Sequence, residues 1–315
     1  MFGYVVRRLL SAIPIALGVS MVCFALVYLA PGDPVQTLLP PDADAETVDR
    51  LKALYGLDRP LPVQYLDWLW RVTHGDLGRS IATGREVSSE IARSLGNTVL
   101  LAALSVLIAF SIAFVMGTIA GRRVGTTVDR LVTGVAVLGV SIPNYWLGIV
   151  LVIIFAVELM ALPASGMASD QFDPTSWEHL QYLVLPVFTL SMIPVGIIAR
   201  TTRAAVSEMM NQEFIVTLRA NGVPEWRVLR HALKNALPPI LAVMGLQFGT
   251  LMGGSILVET VFSWPGSGYL LSKAILTRDI PVLQGTILVL ALIFVATNLL
   301  VDLLQSSLDP RIRRA

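Results

Sequence analysis

Residues Glu208–Pro239 read EMMNQEFIVTLRANGVPEWRVLRHALKNALPP, a charged island in a chain that is otherwise mostly apolar. The island breaks at Asn221-Gly222-Val223-Pro224. Glycine just past a helix end takes the left-handed conformation at little cost, and proline at a first helical position loses no hydrogen bond. One helix is therefore expected to stop near Ala220 and another to start near Pro224. In the second helix Val228, Leu229, Ala232, Leu233, Ala236 and Leu237 recur at helical spacing, opposite Arg227, Arg230, His231 and Lys234. Glu225 in its first turn and Lys234 near its last suit the helix dipole. Pro238-Pro239 is expected to mark the entrance to another apolar stretch. The result is a rigid, basic helix–Gly–helix elbow held between two membrane segments.

The composition around the elbow sets the class. Of 315 residues 55% are hydrophobic and 14% charged, with a mean hydropathy of +0.71. A soluble domain carries about 25% charged residues, so the chain reads as an all-α polytopic membrane protein. Its single cysteine, Cys23, lies in an apolar run, which excludes a disulfide framework.

Six spans are expected. Leu9–Ala30 follows Arg7-Arg8, is long enough for a bilayer and too long for a signal-peptide core, and ends at Pro31-Gly32-Asp33-Pro34, so it reads as an anchor. Residues 33–95 are soluble in character, with Tyr65, Trp68 and Trp70 placed to form an interfacial belt. The further spans are Asn97–Ala120, one interrupted span within Val128–Met160, Leu180–Ala199, Pro239–Val258 and Pro281–Leu304. Ser141-Ile142-Pro143-Asn144 supplies the interruption, because proline inside a helix removes a hydrogen bond. The chain thus divides into residues 1–30, an extracytoplasmic segment 31–96 and a core 97–315, with a cytoplasmic loop at 204–237. Six spans put both termini on one side. That side carries a formal charge of +8 and the other −7, so the positive-inside rule places the termini and the elbow in the cytoplasm.

Within the spans, Gly245, Gly249 and Gly253 repeat every four residues, a spacing that lets helix backbones approach closely. Gln247 and Thr250 lie on other faces of that helix. Asn298, Asp302 and Gln305 share a stripe at the inner end of the last span, read as a helix-end pairing, and Glu158 and Glu259 mark outer ends. The sequence has no GxSxG, HExxH or P-loop motif, and His74, His179 and His231 are too scattered for one metal site. The chain is therefore expected to be no enzyme and to bind no metal, cofactor or nucleic acid; any energy must come from a partner.

Several stretches occur together in order: Pro31-Gly32-Asp33-Pro34, Tyr55–Leu61 with Gln64-Tyr65, His74–Gly78, Arg219-Ala220-Asn221-Gly222, Arg230–Pro238, Glu259–Phe262 with Pro265–Gly268, and Asp309–Arg313. Over nearly its whole length the chain resembles the permease subunits of ABC importers of the peptide class, the dipeptide and oligopeptide (DppB/OppB) type. The resemblance implies the type I importer (MetI-like) permease fold in a bacterial inner membrane. It implies four kinds of partner: a homologous second permease, two ATPase subunits that use ATP and Mg, an extracytoplasmic binding protein, and membrane lipid. It also gives the elbow a role, as a coupling helix docked on an ATPase at about 212–226 with Gly222 as hinge. The residues so implied are Glu213, Arg219, Ala220, Asn221, Gly222, Pro224, Glu225, Trp226 and Arg227. Val216, Thr217 and Leu218 depart from the Glu and Ala of the usual loop motif. Trp264, Pro265, Gly266 and Ser267 are implied as binding-protein contacts. The same architecture serves nickel, glutathione or sugar oligomers. A secondary transporter or channel would require paired midplane charges or an inverted repeat, and the sequence carries neither.

Overall fold

A computed structural model describes residues 2–29, 58–168 and 176–308, with 44, 46, 50 and 53 between them; side chains at 2–9, 11–12, 26–29, 302 and 304–308 lie outside the description. Pro31–Pro34, Tyr55–Leu57, the terminal arginines and the side chains of Asp302 and Gln305 therefore fall outside it. The described residues are helical, with one isolated bridge between Arg79 and Glu86 and no strand.

The helices are α1 (Phe2–Leu29), α2 (Leu61–Thr73), α3 (Val87–Arg122), α4 (Thr127–Ser141), α5 (Asn144–Leu151), α6 (Trp177–Met210), α7 (Glu213–Ala220), α8 (Glu225–Gly254), α9 (Ile256–Val261), α10 (Ser267–Thr277) and α11 (Ile280–Leu308). Four are long and apolar enough to cross a membrane: α3, α6, α8 and the Ile280–Val301 part of α11. The α4–α5 pair, bent by 94°, makes up to a fifth. Besides these, α1 is a helix of 28 residues whose described apolar stretch runs Ile13–Ala25.

The interruption expected between 141 and 144 is the bend in that pair. Ile142 is extended at φ −85° and ψ 124°, and Pro143 caps the next helix. After Leu151 the helix widens into a π-helical stretch, Val152–Glu158, closed by Leu159 N donating to Ile154 O.

Several helices extend beyond their expected bounds, among them α6, which runs Trp177–Met210 where Leu180–Ala199 was expected. The second span begins at Val87 rather than Asn97, because Val87 and Ile91 pack against Ala274 and Val282 and draw the polar turns into the helix. The expected boundary at Pro238-Pro239 is absent. The second elbow helix and the fifth span form one 30-residue helix, α8, with both prolines inside it. Ala236 and Ile240, at 1% and 0% exposure, flank the prolines. Burial of the flanking turns compensates for the two hydrogen bonds that prolines at these positions remove.

The core is organised around α3 against α6. Ala109, Ala113, Gly117 and Gly121 repeat every four residues on α3. A Cβ on Gly117 would lie 2.5 Å from the Thr202 Cβ and 2.6 Å from Ala199 O. Small residues are needed there because lipid gives no hydrophobic drive between helices, leaving close packing to hold them. At one end of this pair Asp129 at the start of α4 takes a bidentate ion pair from Arg203 of α6: Nε to Oδ1, and Nη2 to Oδ2 at 2.7 Å.

Candidate functional site

The elbow lies at the end marked by Asp129–Arg203. Helix α6 runs through Met210 to Gln212, α7 follows, and the chain turns at 221–224 into α8. The turn is a Schellman closure: Gly222 N donates to Arg219 O at 3.0 Å and Val223 N to Leu218 O at 3.1 Å. Gly222 adopts φ +72°, the left-handed conformation that its place after the helix requires. Pro224 caps α8 rather than opening it, its carbonyl accepting from Arg227 N and Val228 N. Beneath the turn Ile215, Val228 and Ala232 are fully buried and pack with Met209, Met210, Leu218 and Val223. This hidden cluster holds the elbow to the bundle.

The residues singled out for coupling all face outward. Glu213, Arg219, Ala220, Asn221, Gly222, Pro224, Glu225, Trp226 and Arg227 are exposed. Phe214 and Val216 are exposed as well, and Trp226 remains 61% exposed with the Arg227 guanidinium 5.2 Å from its ring centre. Exposed apolar and charged side chains together on a braced turn suit a protein partner. Arg219 and Glu225 span the turn with two hydrogen bonds, of 2.8 and 3.2 Å.

The loop after α9 contradicts its expected role. Trp264 is completely buried, and its indole Nε1 donates to Asn97 O at 3.2 Å. Gly266 and Ser267 are buried as well, and Pro265 O accepts from Asn97 Nδ2 at 2.9 Å. Trp264, Gly266 and Ser267 are thus internal packing and not a contact surface. The physical reason is Glu259, expected to mark a span end but wholly buried. Its carboxylate accepts from Ser255 Oγ (2.6 Å), Thr98 Oγ1 (2.9 Å), Gly268 N (2.8 Å) and Tyr269 N (3.1 Å). Those bonds draw the loop inward. A second buried carboxylate, Asp279, accepts from Ser80 Oγ (2.5 Å), Ile81 N (3.2 Å), Ala82 N (3.1 Å) and Val282 N (3.4 Å), joining the 78–86 loop to the start of α11.

The glycine stripe of α8 divides. A Cβ on Gly245 would strike Val301 Cγ2 and one on Gly249 would meet Thr297 Cγ2 at 3.3 Å, so both face α11. Among the described residues a Cβ on Gly253 would meet nothing within 4 Å, so it is not part of that seam. Among the described residues no three His, Cys, Asp or Glu side chains are grouped to hold a metal ion.

Comparison with known proteins gives these features a context. Residues 113–314 match the family of binding-protein-dependent transport system inner membrane components, and residues 1–102 match the N-terminal family of such membrane components. The chain belongs to this family. It is a permease of the ABC type, a multi-pass membrane component rather than an enzyme. Its relatives align end to end. A putative peptide transport system permease protein of Brucella abortus is 42% identical over 99% of both chains. A dipeptide transport system permease protein of Alkalihalophilus pseudofirmus is 40% identical over 99% of this chain and 100% of its own. A glutathione transport system permease protein of Escherichia coli is 40% identical over 99% of both.

Four features of the permease were not found from the sequence: the cluster under the elbow, the Asp129–Arg203 pair, the Glu259 site and the α3 stripe. The stripe had a local signal, since Ala109, Ala113, Gly117 and Gly121 keep the same spacing as the α8 glycines, and the cluster had part of one, since Val228 and Ala232 lie on the apolar face read from the periodicity. The two polar sites join residues 74 and 161 positions apart.

Proposed function

We propose that this permease forms half of the translocation pathway of an ATP-driven importer for di- and oligopeptides. The elbow carries the reading: an exposed, internally braced turn from which a single helix, α8, runs through the membrane region. It docks on an ATPase subunit through Arg219–Arg227 and passes the closure of the ATPase dimer along α6 and α8. A ligand moves such an equilibrium only by binding one state more tightly, and ATP holding the two ATPases together supplies that difference. The partners are a homologous second permease, two ATPases and an extracytoplasmic binding protein that selects substrate. The chain spans six times, with α1 and the bent α4–α5 pair each counted once, and its termini and elbow lie in the cytoplasm. The charge asymmetry of +8 against −7 supports that orientation.

Glutathione is the second reading, supported by the relative of that name at 40% identity. Affinity purification of the tagged chain from a mild detergent extract, with its co-purifying proteins identified by mass, tests the assembly. Two ATPase chains and one homologous permease are expected; a folded chain that transports alone in vesicles without ATP overturns the importer reading. Uptake of labelled dipeptide against labelled glutathione by the reconstituted complex then separates the two substrates.

A further inference from the structure

The end of the permease opposite the elbow holds an unusual buried site. Glu259 is fully enclosed, yet no cationic side chain pairs with it among the described residues. Its charge is met instead by two hydroxyls and two backbone N–H groups. The donors come from three places: Thr98 on α3, Ser255 at the break between α8 and α9, and Gly268 and Tyr269 in the first turn of α10. Thr98 Oγ1 also accepts from Ser267 N at 2.8 Å and lies 2.9 Å from Ser267 Oγ. Trp264 and Asn97 add a second stitch between the same two parts. Side chains on Gly266 and Gly268 would collide with the Glu259 carboxylate or with Ile256. A carboxyl group so enclosed is satisfied only while every donor stays in place, because separating them leaves its oxygens unpaired away from water. Such a junction is unsuited to opening and closing in every transport cycle.

Immediately beside it the packing reverses. Among the described residues nothing lies within 4 Å of a would-be Cβ on Gly253 or Gly254, the last residues of α8, and neither has a positive φ. At Ser255 the helix breaks. A loosely surrounded glycine pair thus adjoins a fully satisfied polar clasp. On the importer reading, which this inference requires, α8 carries motion from the elbow and must have a point about which to turn.

We propose that Glu259 is a positioning residue that clasps α9 and α10 permanently to α3, forming a fixed fulcrum, and that α8 pivots on it at Gly253-Gly254. The outer ends of α3 and α10 then stay together throughout transport while the elbow ends of α3 and α8 change their separation. The sequence motif Glu259–Phe262 with Pro265–Gly268 thereby acquires a mechanical role in place of a docking one.

Spin-label distances in the complete reconstituted transporter test this. Cys23, the chain's one cysteine, is first replaced by serine. Exposed positions are then labelled in pairs: Arg93→Cys with Thr277→Cys at the outer end, and Val124→Cys with Lys234→Cys at the elbow end. Each pair is measured without nucleotide and after trapping with ATP and vanadate. The outer distance is expected to be unchanged between states and the elbow distance to shift. A shift in the outer pair overturns the clasp while leaving the importer reading standing. No shift in either pair overturns both.

Two substitutions probe the parts separately. Glu259→Ala removes both acceptor oxygens and leaves the N–H groups of Gly268 and Tyr269 unpaired, and is expected to broaden the outer distance distribution; an unaltered distribution overturns the assignment to Glu259. Gly253→Ala with Gly254→Ala fits the available space and should assemble normally. It is expected to lower uptake by about fivefold or more, the scale of typical coupling between sites. Uptake equal to the parent overturns the pivot.

Discussion

Arg219 and Glu225 lock the two arms of the elbow to each other. The Arg219 Nε donates to Glu225 Oε1 at 2.8 Å and Nη2 to Oε2 at 3.2 Å, across a turn of four residues. One residue lies in the last turn of α7 and the other opens α8. Both side chains are about half exposed, so water and salt screen the pair and its contribution to folding is small. Its value is geometric: it holds the angle at which the outward face meets a partner.

Removing that brace should therefore affect transport more than stability. Arg219→Ala is expected to leave the thermal midpoint of the purified complex nearly unchanged while reducing peptide uptake per ATP hydrolysed. The charge exchange Arg219→Glu with Glu225→Arg should recover much of the loss. Uptake-to-hydrolysis ratios in proteoliposomes for the parent and the two variants check this.

Gly222 tests the turn itself. At φ +72° alanine adds about 1 kcal/mol of strain, so Gly222→Ala should remain assembled with modestly weakened coupling. Proline is locked near φ −65° and is incompatible with the Schellman closure. Gly222→Pro should keep the chain inserted but uncouple ATP hydrolysis from uptake; normal coupled uptake in that variant would refute the role of the elbow.

The two small-residue positions should respond in opposite ways. Gly117→Val forces atoms against Thr202 and the Ala199 carbonyl, and overpacking of this kind costs about 1–3 kcal/mol. Gly253→Ala enters open space and gains helix propensity of about 0.5–1 kcal/mol. Thermal unfolding of the detergent-purified complex should fall for the first and not for the second.

Trp264→Ala distinguishes a core residue from a contact residue. Emptying a buried tryptophan site costs about 3–5 kcal/mol, so the variant should show a reduced yield of folded complex. A surface contact would instead weaken binding-protein affinity with folding intact. Fluorescence-detected size exclusion, paired with binding-protein titration, separates the two.

For Asp129 and Arg203 the expected signature is rescue. Arg203→Ala leaves Asp129, 4% exposed, without its cation, and such orphaned buried charges are strongly destabilising. Asp129→Asn with Arg203→Gln removes both charges while keeping shape, and should be more stable than Arg203→Ala alone. A double-mutant cycle on thermal stability measures the coupling.

What was legible in the sequence was what depends on neighbouring residues. Span positions follow from local hydropathy, and the elbow from Gly222, Pro224 and the 3.6-residue periodicity around them. Each is a property of one short segment facing water, lipid or an adjoining turn. The break at 142–144 was readable for the same reason, since proline acts on its own helix. The fate of Trp264, Glu259 and the Pro238-Pro239 pair was decided elsewhere. A tryptophan and a glutamate beside a loop look like surface groups until Asn97 and Thr98, more than 160 positions earlier, arrive with the donors that bury them. Consecutive prolines look like a helix end until flanking Ala236 and Ile240 are packed in the core. Hydrogen bonds and close packing act only at contact distance, and which distant residues come into contact is set by the assembled bundle, not by the local run of the chain.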